Sequence, residues 1–123
     1  MLTITDGGSL SRALSSSLDP SIKRLLSRRC KQLGGDIRDQ ACFIIVQPGD
    51  TLQSLEAELG FRVSGDPELT LRPEWVANHG GVVLEAVWIL TDCGYAHVVA
   101  VPKRRAIDPK LVELFTALAS DGA

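Results

Sequence analysis

The stretch VVLEAVWILTDCGYAHVVAVP, residues 82–102, decides the fold. Its first part, Val82 to Leu90, is apolar except for Glu85 and rich in β-branched side chains, the composition of a strand covered on much of both faces. Thr91-Asp92-Cys93-Gly94 then supplies turn chemistry, with glycine where a hairpin of this length needs a positive φ. Tyr95 to Val101 resumes the strand and Pro102 stops it. The stretch predicts an antiparallel hairpin whose first strand is expected at the centre of its sheet.

Working outward, Cys42-Phe43-Ile44-Ile45-Val46 is short, apolar and β-branched, a further buried strand closed by the turn Pro48-Gly49. Asp19-Pro20 reads as a cap followed by proline at the first helical position. Ile22, Leu25, Leu26, Cys30 and Leu33 then recur at helical spacing until Gly34-Gly35, which predicts a helix from Pro20 to Leu33. Asp108-Pro109 repeats that signal before a terminal helix whose apolar residues are Leu111, Val112, Phe115, Leu118 and Ala119. Asp50 or Thr51 caps a third helix carrying Leu52, Leu55 and Leu59, terminated by Gly60 with Phe61 folding back. Between them, Arg62 to Asn78 is broken by Gly65-Asp66-Pro67 and Pro73, and reads as a loop with a turn at Pro73 to Val76, anchored by Trp75. The whole is an α+β fold, a small antiparallel or mixed sheet of about three or four strands packed with about three helices. The Ser- and Gly-rich residues 1–18 are expected as a flexible arm ahead of a single domain over 19–123.

A chain of 123 residues supports one hydrophobic core, and 45% hydrophobic with 23% charged residues is ordinary for a folded domain. Its net charge of −2 drives no whole-molecule attraction to nucleic acid or an anionic membrane, so any such binding needs a local patch. Neither a basic start leading into an apolar run nor an apolar stretch of about 18 residues is present, so no membrane partner is expected. Cys30, Cys42 and Cys93 are odd in number and irregular in spacing, which implies reduced thiols and a cytoplasmic location.

The residues that could carry chemistry do not assemble into a motif. His79, His97 and the cysteines lack the close pairwise spacing of a zinc site, so neither metal nor cofactor is expected. Cys93 and His97, four apart, are the candidates for a nucleophile and its base, but a hairpin turn separates them and Asp92 reads as a turn former. Cys30 and Cys42 sit on apolar faces as small hydrophobes. Charge is more informative. The first predicted helix carries Lys23, Arg24, Arg28, Arg29 and Lys31, and Lys103-Arg104-Arg105 extends the basic set if both lie on one surface. These eight residues are the candidate site for a protein or nucleic-acid partner, against the alternative of a solvated helix face without interleaved aromatics.

Val46-Gln47-Pro48-Gly49-Asp50-Thr51-Leu52, with Leu55 beyond, resembles the opening of a LysM glycan-binding module, which would imply glycan binding. More of the chain resembles a family of uncharacterised proteobacterial proteins often carried by plasmids and integrated mobile elements. The matching residues are Pro48 to Leu52, Leu55-Glu56, Gly60-Phe61, Gly65-Asp66-Pro67, Glu74-Trp75, His79-Gly80-Gly81, Leu90 to Tyr95 and Val101-Pro102-Lys103. The sequence departs from that pattern at Val82-Val83, where aromatic residues are usual, and at Cys93, where an acid is usual. The resemblance implies a setting and no reaction. The expected function is a small non-enzymatic interaction or accessory protein, meeting a second copy or another protein. The alternatives are a nucleic-acid-associated protein using the helix over 20–33 and a LysM-like glycan-binding module.

Overall fold

The computed structural model describes residues 1–38, 41–51, 53, 56, 57, 83–103 and 109–120, and of 35–38, 119 and 120 the backbone only. In chain order the elements are β1 (Leu2–Ile4), α1 (Gly7–Leu14), α2 (Pro20–Arg38), β2 (Ala41–Val46), β3 (Glu85–Thr91), β4 (Gly94–Pro102) and α3 (Pro109–Ser120). The strands form one sheet in the order β1-β2-β4-β3, antiparallel at every junction. The fold is therefore α+β. Most of the helix expected after Asp50, the loop over 62–78, and Gly60, Trp75, His79, Arg104 and Arg105 lie outside the described residues.

The hairpin forms as its residues dictate. Thr91 and Gly94 face each other across the turn, and the left-handed step falls on Gly94 at φ 120°, since no residue with a side chain has positive φ among the described residues. The Thr91 hydroxyl ties the turn, donating to the Gly94 carbonyl at 2.6 Å and accepting the Cys93 N–H at 3.3 Å. The hairpin's place in the sheet differs from expectation. β4, not β3, is interior, paired with β2 on one side and β3 on the other. β3 is an outer strand of the described sheet, and its residues are half-buried or exposed. An unbroken apolar run reports coverage of faces, which helices can supply as well as strands, and so does not rank strands by position.

Alternation sorts the sheet into two faces. Ile4, Phe43, Ile45, Ala96, Val98 and Ala100 join Leu10, Ala13, Ile22, Leu26, Leu33, Leu111 and Phe115 in one core with α1, α2 and α3. The opposite face carries Ile44, Val46 and Val99, which are also closed to solvent.

The N-terminal residues are not an arm. Leu2–Ile4 pairs with β2, Thr3 opposite Ile44, while Leu10 and Ala13 of α1 are buried in the core. A capping box starts α1: the Asp6 carboxylate accepts the Ser9 N–H at 2.7 Å, and the Ser9 hydroxyl accepts the Asp6 N–H at 3.1 Å. The Ser9 backbone N–H first, and then the Ser9 hydroxyl, hold the Asp6 carboxyl below the usual carboxylate range. A Ser-rich composition suggested disorder, but the apolar residues at 2, 4, 10 and 13 bury enough surface to hold the segment.

In α2 every residue of the predicted stripe is buried: Ile22, Leu25, Leu26, Cys30 and Leu33. The helix breaks at Gly34, φ 73° and ψ 175°, a backbone region essentially confined to glycine, and a further helical segment runs to Arg38. In α3, Leu111 and Phe115 are buried, but Val112 is 42% exposed, because it lies about 100° around the helix from Leu111. Before the undescribed segment, the Asp50 carboxylate meets the Met1 ammonium at 2.8 Å and accepts the Gln47 N–H at 2.8 Å, and both contacts lower its pKa, the ammonium more.

Candidate functional site

Two surfaces of the described fold carry the candidate residues, one on the sheet and one on α2.

On the sheet, the register Leu90↔Tyr95 and Trp88↔His97 sets four side chains along the hairpin on the face away from α1, α2 and α3. Nearer the middle, Trp88 and His97 meet edge to face, ring centroids 5.8 Å apart at 68°. The Trp88 indole N–H is buried and has no hydrogen-bond partner among the described residues. Toward the turn, Leu90 is 67% exposed and Tyr95 54% exposed, an aliphatic and an aromatic side chain paired across the strands in solvent. Beyond them the turn presents Asp92 and Cys93, both exposed. Alternation in the sequence could have located this group, since residues 88 and 90 share one face and 95 and 97 pair with them. What it could not show is that coverage of this face gives out before Leu90.

The nucleophile-and-base pair considered from spacing is not assembled. Cys93 is in the turn, where its N–H bonds Thr91, while His97 lies within the strand against Trp88. Among the described residues no group of three or more His, Cys, Asp and Glu is arranged to hold a metal, and Cys30, Cys42 and Cys93 are not joined by disulfides. No described helix is long and apolar enough to cross a membrane.

The basic residues separate into distinct environments. Arg24, Arg28 and Lys31 are exposed, and Lys23 is half-exposed. At 3.6 residues per turn, Arg28 lies about 40° and Lys31 about 20° from Arg24, on opposite sides, so these three form a ridge with Lys23 about 100° round. Arg24 also donates to the Ser21 hydroxyl at 3.1 Å. Lys103 is exposed, with its charge acting on Asp6 at the start of α1.

Arg29 does not belong to that surface. It is 9% exposed, and its guanidinium grips Glu85 of β3 through Nε to Oε2 at 3.0 Å and Nη2 to Oε1 at 2.6 Å, with Nη1 donating to Gln32 at 3.1 Å. This fork-on-carboxylate geometry is the strong form of an ion pair, and here it clamps α2 to an outer strand. The sequence held the clue. Arg29 falls seven residues after Ile22, four after Leu25 and four before Leu33, inside the apolar stripe, and Glu85 is the lone charge in an apolar strand. Two opposite charges at core positions of different elements are a pairing signal.

No family model, curated protein or solved structure matches this chain.

Proposed function

We propose that this chain is a small non-enzymatic interaction protein that meets a protein partner through the turn end of the β3–β4 hairpin. The observation supporting it is the cross-strand pair Leu90 and Tyr95, 67% and 54% exposed. A cross-strand aliphatic–aromatic pair left in solvent gives up contact energy that a partner's apolar surface would recover. Tyrosine is enriched in protein interfaces because it offers a rigid ring and a polar tip. The adjoining Trp88 and His97 give the patch a half-buried base, and the antiparallel hairpin holds it in a fixed shape. The setting implied by the sequence resemblance, a plasmid or integrated element, makes an accessory role the natural form of this activity.

The test compares tagged full-length chain with its Leu90→Ser/Tyr95→Ser variant in affinity capture from native lysate, alongside sedimentation of each alone. A stoichiometric protein recovered by the wild type and lost with the variant, or self-association lost in the same way, supports the reading. Capture and sedimentation that are the same for both chains would remove the hairpin end from consideration.

A further inference from the structure

We infer that the outer face of α2 binds the phosphate backbone of a nucleic acid duplex, at a site separate from the hairpin surface. Four cations compose it: Lys23, Arg24, Arg28 and Lys31. Residues 20–34 contain no aspartate or glutamate, although the whole chain has 15 acidic against 13 basic residues. Among the described residues none of the four forms an ion pair; the two that form join Asp50 to Met1 and Glu85 to Arg29. Like charges three and four apart on a helix repel, as Arg24 with Arg28 and Arg28 with Lys31 do, and a bound polyanion removes that cost. The clamp of Arg29 on Glu85 fixes the rotation of the helix and so holds these neighbours outward.

The chemistry of the ridge favours phosphate over an acidic protein. A protein interface needs an apolar centre, and among the described residues the exposed large hydrophobics, Met1, Leu90, Tyr95 and Val112, lie off this helix. The exposed neighbours on α2 are instead Ser27 and Gln32, hydrogen-bonding groups suited to phosphate oxygens. Two guanidiniums add the planar fork that matches them. At about 1.5 Å rise per residue the ridge from Arg24 to Lys31 spans about 10 Å. Along one strand a duplex presents a phosphate about every 3.4 Å of axis, so about three or four contacts fit. With no exposed aromatic side chain on α2 there is no platform for unpaired bases, which selects duplex backbone and predicts binding without sequence preference.

Fluorescence anisotropy of a labelled DNA duplex, titrated with the full chain, tests this directly. Between about 50 and 200 mM salt the affinity is expected to fall about 40-fold or more, the consequence of a slope near −2.7 for about three phosphates. Arg24→Gln/Arg28→Gln/Lys31→Gln should lose more than about tenfold at the lower salt while keeping the wild-type circular dichroism and melting curve, since these side chains are solvated. Arg24→Lys/Arg28→Lys, which preserves charge, should retain most of the binding, and Arg12→Gln on α1 should change it by less than about twofold. No binding at about 50 mM salt, or a triple variant that binds like wild type, overturns the assignment. So does poly-glutamate competing as well as the duplex at equal charge, which would give the ridge to an acidic protein.

Discussion

One face of the sheet sends Phe43, Ile45, Val98 and Ala100 against three helices; the other buries Ile44, Val46 and Val99 just as deeply but ends, at the hairpin turn, in Leu90 and Tyr95 standing in solvent. The strands are the same and the alternation is equally regular, so sequence period does not distinguish the two. What differs is completeness. The helical face is sealed to the sheet's outer strand by an internal ion pair, Arg29 with Glu85, and its charges are satisfied. The opposite face carries a buried indole N–H without a partner among the described residues and an apolar pair that nothing in the described fold covers. The first surface is accounted for by stability, whereas the exposed apolar pair on a rigid element is the observation behind the partner surface proposed above.

The sharpest test of that contrast is a pair of truncations. Phe115→Ala, on the sealed side and 2% exposed, should cost about 3–5 kcal/mol of unfolding free energy in urea denaturation. Leu90→Ala on the other face should cost less than about 0.5 kcal/mol. Equal losses would erase the distinction. Arg29→Met alone should cost about 3–5 kcal/mol, because it leaves the half-buried Glu85 carboxylate without its partner, and the double variant Arg29→Met/Glu85→Leu should recover most of that loss. A single variant as stable as wild type would mean the clamp holds nothing. A small effect is also expected at Trp88→Phe, which deletes an N–H without a partner among the described residues and keeps an aromatic ring against His97; its stability should stay within about 1 kcal/mol of wild type. A loss well beyond that would show that the indole nitrogen has a partner, and that the second face is as complete as the first.

Much of the architecture was legible in the sequence because it rests on local chemistry. Proline after aspartate marked the start of α2, Gly34 its break, Gly94 the hairpin turn, and each works within a few residues along the chain. The elements that were missed are short. β1 has three residues, below the length at which alternation can be read, and α1 follows it in eight residues whose serines mask the box between Asp6 and Ser9. The misplacement of β3 has another origin: which strand lies inside a sheet depends on pairing between distant segments, here β2 with β4, about fifty residues apart.

The candidate sites divide along the same line. The basic set on α2 was readable as composition, and Arg24, Arg28 and Lys31 do share an outer face. Counting Arg29 with them followed charge alone; its place in the apolar stripe and its partner 56 residues away assign it to the interior. The grouping of the hairpin patch was readable from alternation, but its exposure was not, because every member also fits a buried strand.

By itself, then, the amino-acid sequence determined the α+β class, the helix that carries the basic ridge, and the hairpin with its glycine turn, all products of short-range sterics, capping and periodicity. Only the tertiary structure decided that β4 lies inside the sheet, that the first residues join it, that Arg29 turns inward to Glu85, and that Leu90 and Tyr95 remain in solvent. Those outcomes depend on which distant surfaces meet, and exposure is a property of what covers a residue, which no stretch of chain specifies alone.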